Sequence, residues 1–352
     1  MASRYKKQVS LGYNQDGKRV RVWIRADSKQ ELQRKERELL MHSEQELITS
    51  KKFGEYAQSW LKTYKSTKET RTREFYETGV KKLSSLDRMD LDKIRRSHLQ
   101  NILTENWEHP RTCKKLANIM SQIFRSAVAD GLVIRNPAES LDIPKQTKTE
   151  KRILTSAEKK AIDKVKLPAS EKVFLDIIRQ LGLRPEEARA LTRTAIDFKE
   201  GTITIDKASI FAQNAPELKG VKNGRPRTLP LPKGLKSELR RYVKDVQLLL
   251  FTDSNGNLMS KSSFRCFQKR IFDALNRELG GTDNMNVLNG MTFYTLRHTR
   301  GTELYYLTQE GKISTKLAAQ YMGHSEMVFL STYSHIDEQK EDLEALRLVT
   351  NW

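Results

Sequence analysis

The stretch Ala318 to Gln339 reads AAQYMGHSEMVFLSTYSHIDEQ, with a Gly-His pair at His324 and a tyrosine, Tyr333, nine residues further on. A tyrosine hydroxyl can act as a nucleophile, and a histidine can carry a proton or donate a hydrogen bond. The stretch is too polar around Tyr333 for a plain core helix. By itself the spacing is common, and only the rest of the chain gives it meaning. Three other places hold residues of chemical interest. LGLRPEEARAL puts Arg184 at a turn opening a helix, with Glu187 three residues later. VKNGRPRTLP puts Lys222 at a hairpin tip, five residues before Arg227, and PELKGVKNG offers Lys219 as an alternative. YTLRHT puts Arg297 at the start of a helix, with Tyr294 before it and His298 directly after it. Guanidiniums stay charged at any working pH and fork onto paired oxygens. Two of them, with a lysine, a histidine and a tyrosine, suit chemistry on an anionic phosphate.

Composition points the same way. The 352 residues allow two or three domains, and 37% apolar residues are enough for packed cores. Lys and Arg number 64 against 44 Asp and Glu, a net charge of +20. A surplus this large attracts polyanions, and nucleic acid is the expected partner. No run approaches the ~18 apolar residues of a membrane span, and MASRYKKQVS lacks the apolar core of a signal peptide. No membrane association is expected, and the expected location is the cytoplasm, on DNA. Cys113 and Cys266 lie far apart and form no CxxC pair, so both are expected as buried thiols. No paired carboxylates or Cys/His cluster has ligand spacing, so neither a metal nor another cofactor is expected.

The elements that must position these residues can be read along the chain. Val9, Leu11 and Tyr13 alternate, Asp16-Gly17 marks a turn, and Val20, Val22 and Ile24 alternate again, which predicts a hairpin. Ser28 and Glu31 form a capping box for a following helix. Residues 1–52 hold 13 basic and 7 acidic residues. Their lysines and arginines, with Tyr5, Tyr13 and Trp23 among them, suit a sheet face laid on DNA, and Lys6, Lys7, Arg19 and Arg21 are the candidate contacts. From Phe53 to Pro144 every segment has a helical stripe. Residues 145–153 are polar and basic with no apolar period, which is how a linker looks. Thr155 and Glu158 open a new helix, and short strands are then expected at GTITIDKASI, PELKGV and RPRTLPLP, with Asn223-Gly224 as a turn. Four helical segments follow. The predicted fold is multidomain. It comprises an N-terminal β-ribbon and helix (1–50), an all-α domain (53–144), a linker (145–153), a mixed α+β domain (154–336) and a tail (337–352).

Taken in order, the arginine in an L-R-x-x-E context, the lysine, the Y-T-L-R box, the M-G-H box and the tyrosine nine residues later resemble the tyrosine recombinase (phage integrase) family. The resemblance covers most of residues 150–340. The N-terminal unit looks like the arm-type DNA-binding domain of integrases from mobile elements, and residues 53–144 look like the family's core-binding domain. The resemblance implies strand cleavage and rejoining through a 3′-phosphotyrosyl ester on Tyr333. Arg184 and Arg297 would neutralise the phosphate, His324 would hydrogen-bond it, and Lys222 would protonate the departing 5′-oxygen. Glu187 and His298 would support the set. The implied partner is double-stranded DNA at core-type and arm-type sites. A synaptic tetramer on DNA and accessory DNA-bending or excision factors are implied with it.

Two features set the chain apart. Tyr294 stands where the family usually has histidine, and a phenol with a pKa near ~10 is a poor proton acceptor at pH 7. It is expected instead to orient the phosphate by donating its hydroxyl hydrogen. The tail, with 5 acidic and 2 basic residues in 336–352, carries Leu343, Leu346 and Val349 at helical spacing. The resemblance implies that it docks on a neighbouring subunit; a terminal helix packed on its own subunit is the alternative. The expected function is that of an integrase of a phage or conjugative element. A cellular resolvase of the same chemistry, or a DNA-binding protein with an inactive site, are the alternatives.

Overall fold

The computed structural model describes residues 5–13, 19–46, 51–146, 151–221 and 226–334. The chain forms two compact units, Met1–Lys148 and Thr149–Trp352.

In the first unit, β1 (Tyr5–Tyr13) and β2 (Arg19–Ala26) pair antiparallel, and α1 (Lys29–Glu46) packs against both. Lys6 lies opposite Arg25, Gln8 opposite Trp23 and Ser10 opposite Arg21, so these six share a face. The other face buries Val9, Ile24 and Ala26. Lys7 falls on that second face and pairs with Glu36 of α1 at 2.7 Å. The expectation that Lys7 belongs with Lys6 on one basic face is therefore corrected: neighbours along a strand point to opposite sides. Arg25, not singled out from the sequence, takes its place. Arg19 lies opposite Tyr13, its side chain outside the described residues, as is the Asp16-Gly17 turn.

The helices α2 (Phe53–Lys65), α3 (Thr70–Lys81), α4 (Arg96–Glu105) and α5 (Pro110–Ala129) follow. α5 is their spine. Cys113, Leu116, Met120, Ile123 and Ala127 recur every three or four residues and are buried, as a 3.6-residue period requires. α2 adds Phe53, Tyr56 and Trp60, with Trp60 Nε1 donating to Ser126 Oγ at 3.0 Å and Tyr56 OH to Asp130 at 2.6 Å.

The second unit is mixed. Its elements run α6 (Ser156–Lys164), α7 (Ala169–Leu181), α8 (Pro185–Arg189), β3 (Ile196–Asp197), β4 (Thr202–Ile205), β5 (Lys207–Ala212), β6 (Ala215–Gly220), β7 (Arg227–Pro230) and α9 (Lys233–Tyr242). Then come α10 (Lys261–Glu278), α11 (Phe293–Gln309), α12 (Thr315–Met322) and α13 (Glu326–Tyr333). Phe174 of α7 is the hub of its core, meeting Phe251, Phe264, Phe267 and Phe293 edge-on with ring centroids 4.9 to 5.8 Å apart. On α10, Phe264, Phe267 and Ile271 take the core face. Cys266 is thereby turned outward, so only Cys113 is the buried thiol expected.

Strands β4 to β7 fall on the segments expected from the sequence. β4 pairs with β7, and β5 pairs with β6 through a tight turn at Gln213 and Asn214. Ile205 faces Arg227 and Lys207 faces Gly220, so the two pairings adjoin at Asp206. Lys222, with the expected Asn223-Gly224 turn, lies outside the described residues. Among the described residues no helix is long and apolar enough to cross a membrane.

Candidate active site

Gly182 ends α7 in the left-handed region, at φ 65°. Arg184 then caps α8, and Pro185 takes the first helical position, where its missing N–H leaves nothing unpaired. Glu187 turns back so that its carboxylate accepts the Arg184 backbone N–H at 2.9 Å. The same buried carboxylate gathers three guanidiniums. Arg184 Nη1 donates to it at 2.8 Å, and Arg227 on β7 donates through Nη1 at 3.1 Å and Nη2 at 2.7 Å. Arg297 Nη1 stands 3.9 Å away. The balance is a local excess of positive charge, which suits an anionic ligand. Arg227 also donates from Nε to the Tyr321 carbonyl at 3.1 Å, tying β7 to α12. It was not selected from the sequence. An arginine in a polar strand leaves no local signal, and only the fold brings it to Glu187.

Burial alone would raise the Glu187 carboxyl, but the hydrogen bond and charge of Arg227, then the charges of Arg184 and Arg297, hold it at about 2. The folded value is depressed below the ordinary 4.5. Its contribution is therefore fully present above about pH 4.5 and is lost as the pH falls towards 2. The amount is on the order of 3 kcal/mol. Urea titrations of the DNA-free protein at steps across that window should show stability falling, with a visibly shallower fall in Glu187→Gln. Equal slopes would mean that this carboxylate does not sense folding.

Arg297 rises from the second turn of α11 and is buried. Its Nη1 donates to the Gly182 carbonyl, and its Nη2 donates to the Met322 carbonyl and meets His324 Nε2 at 3.0 Å. A guanidinium only donates, so His324 Nε2 must accept and the neutral ring carries its hydrogen on Nδ1. Burial, then the charges of Arg297, Arg184 and Arg227, push His324 down to about 3. The ring is neutral at pH 7. Its Nδ1 is buried and has no hydrogen-bond partner among the described residues. His324 follows Gly323, which ends α12 at φ 63°. A Cβ on Gly323 would lie 2.9 Å from Arg227 Nη1, so both backbone and space require glycine there. A cavity of about 760 Å³ opens against Arg184, Glu187, Arg227, Gly323 and His324.

Tyr333 is the last residue of α13 and only 2% exposed. Its ring centroid lies 5.1 Å from His298, 6.2 Å from His324 and 4.9 Å from Phe329. A Cβ on Gly301 would come within 2.2 Å of the ring's Cζ, so the ring occupies the room that glycine leaves on α11. The polar stretch thus ends in a core position. Burial raises the phenol, and the charges of Arg297 and Arg184 oppose the rise.

Tyr294, near the start of α11, is 54% exposed, and its hydroxyl donates to Glu186 at 2.9 and 3.2 Å. Its single proton is committed to a carboxylate, which departs from the expectation of donation to phosphate. Lys219 lies in β6 opposite Ala208, 3.8 Å from Glu217. Among the described residues no group of three or more His, Cys, Asp or Glu could hold a metal ion.

The sequence pattern of the phage integrase family matches residues 146–340, and that of the phage integrase central domain matches residues 53–143. An α+β domain with these boxes in this order defines the class, and the chain belongs to the phage integrase family. It is a tyrosine-type site-specific recombinase. Relatives include a XerC-like tyrosine recombinase of Caldanaerobacter subterraneus subsp. tengcongensis, 25% identical over 377 residues, 94% of this chain and 92% of the relative. The tyrosine recombinase XerA of Pyrococcus furiosus is 26% identical over 62% of this chain and 70% of its own. Among solved structures, the Tn1549 transposon integrase in complex with a circular intermediate DNA has a TM-score of 0.67 at 19% identity, covering 82% of this chain and 98% of that one. A lambda integrase tetramer bound to a Holliday junction has a TM-score of 0.61 at 15% identity, covering 90% and 92%.

Proposed function

We propose that this chain cuts and rejoins double-stranded DNA through a covalent 3′-phosphotyrosyl intermediate on Tyr333. The observation that carries the reading is the Glu187 cluster, where Arg184, Arg227, Arg297 and His324 converge beside the Tyr333 ring. A phosphodiester repels an anionic attacker, and charge concentrates on its oxygens in the pentavalent transition state. Arg184 and Arg297 neutralise that charge, and the Nδ1–H of neutral His324 supplies a further hydrogen bond. Lys222 protonates the departing 5′-oxygen. The phosphotyrosyl bond keeps the energy of the broken one, so strands rejoin without a high-energy cofactor. Glu187 holds the arginines and His298 packs the nucleophile's ring.

The biological reading is the integrase of a phage or conjugative element, acting as a synaptic tetramer with accessory DNA-bending or excision factors. It binds core-type sites through residues 53–144 and 154–336 and arm-type sites through residues 1–50, and its tail 337–352 docks on a neighbouring subunit. The open basic face of Lys6, Arg21, Arg25 and the 54% exposed Trp23 supports it. A cellular resolvase is the second reading, supported by the XerC-like relative that spans 94% of this chain. Selection of binders from random duplexes separates the two. The integrase reading expects two unrelated motifs, one of which disappears when Lys6, Arg21 and Arg25 are all changed to Glu. Recovery of one motif, insensitive to those changes, favours the resolvase. Core-site affinity in either case should fall with salt at a log–log slope of about −0.9 per phosphate neutralised.

A further inference from the structure

Arg227 is the one guanidinium of the Glu187 cluster to which the proposed chemistry gives no part. It gives Nε to the Tyr321 carbonyl at 3.1 Å, and Nη1 and Nη2 to the two oxygens of Glu187 at 3.1 and 2.7 Å. Arg184 gives the same carboxylate a single side-chain N–H, at 2.8 Å, and gives the Gly323 carbonyl another, at 3.2 Å. Arg297 stands 3.9 Å off. The fork of Arg227 is thus the main partner of Glu187, where the two side chains are 10% and 2% exposed. Burial pulls the Glu187 carboxyl up, and of the groups that hold it at about 2, Arg227 acts most strongly. A guanidinium has more donors than Arg184 uses here, so Arg184, on the cavity wall, can still turn to a ligand.

The charges can be counted. Among the described residues the cluster holds three guanidiniums and one carboxylate within ion-pair reach, and His324 is neutral, so its net charge is +2. Glu186, next along α8, turns to Tyr294 instead. A phosphodiester carries one negative charge and takes on a share of a second as the Tyr333 oxygen adds to it. A site at +2 therefore favours the transition state over the bound substrate, which is the condition for catalysis. At +1 that preference is lost.

We propose that Arg227 is a positioning residue that sets this balance: its fork keeps the Glu187 carboxylate from drawing Arg184 and Arg297 away from the scissile phosphate. The inference rests on the phosphotyrosyl reading above, and in it Arg227 acts only through Glu187. Without the fork the cluster falls to +1, and the phosphate competes with Glu187 for Arg184. The loss falls on the transition state, because only there does the second charge develop.

The test is single-turnover cleavage of a nicked suicide duplex by saturating full-length protein. Arg227→Gln is expected to cleave about thirtyfold more slowly or worse, while binding the core site within about threefold of wild type. Adding Glu187→Gln removes the unmatched carboxylate and returns the cluster to +2. The double variant is therefore expected to cleave at least about tenfold faster than Arg227→Gln alone. A merely structural role predicts the reverse, since each change takes hydrogen bonds from the junction of α8, β7 and α12. A double variant no faster than Arg227→Gln overturns the proposal, as does Arg227→Gln at the wild-type rate. Should Arg227→Gln fail to fold, Arg227→Lys decides, because it keeps the charge and loses the fork. Cleavage by Arg227→Lys within about fivefold of wild type supports the charge balance, and a deeper loss overturns it. A wild-type protein that forms no adduct overturns the underlying phosphotyrosyl reading instead.

Discussion

Tyr333→Phe is expected to bind DNA as tightly as wild type and to form no covalent adduct. The substitution removes a single oxygen from a ring already seated against Gly301, His298 and Phe329. Packing, and with it the fold, should hardly change. On the proposed reading, however, the nucleophile is gone. Wild-type protein on a nicked suicide duplex should give a species that survives denaturation, and the variant should give none above background. An adduct in Tyr333→Phe would move the nucleophile elsewhere. Gly301→Ala is a sharper companion. Its Cβ would fall 2.2 Å from the ring's Cζ, so the ring must shift, and cleavage should slow while binding is kept. The pair distinguishes loss of the reacting atom from loss of its position.

Arg297→Ala should lower the single-turnover cleavage rate by about a thousandfold or more, or ~4 kcal/mol of transition-state stabilisation. Arg297 does two things at once. Its Nη groups hold the Gly182 and Met322 carbonyls and His324, which joins the end of α7 to the end of α12. On the proposed reading its charge offsets the phosphate in a place where water screens little. Burial, then the charge of Arg184, lower its pKa to about 10, so it stays ionised at pH 7. Arg297→Lys is expected to recover little, because one ammonium cannot span three acceptors held apart by two helices. Thermal unfolding should be measured alongside, since three polar groups lose their partner. A variant that is folded, binds the site and cleaves within tenfold of wild type would remove Arg297 from the chemistry.

The sequence by itself determined the residue types, their order and the local contexts that position them. The L-R-x-x-E box is legible because Pro185 and Glu187 fit a helix start, and that local geometry alone brings the Glu187 carboxylate to the Arg184 backbone. Gly323 is legible for a similar reason, since a helix that ends in the left-handed region calls for glycine. The helical stripes of residues 53–144 and the β1–β2 hairpin follow from periodicity, which is a local property. Tertiary structure decided what depends on distant chain segments. Arg227 is 40 residues from Glu187, and no spacing rule predicts that strand β7 delivers it there. Tyr333 sits among polar neighbours and is nevertheless buried, because α11 leaves a gap at Gly301 that only the packing of α13 fills. Tyr294 reads as a free donor in sequence, but Glu186, 108 residues away, takes its only proton. Local rules fix which atoms a residue brings. Which partner satisfies them is settled only when the core closes, because a buried polar group must be paired and the fold limits the choice.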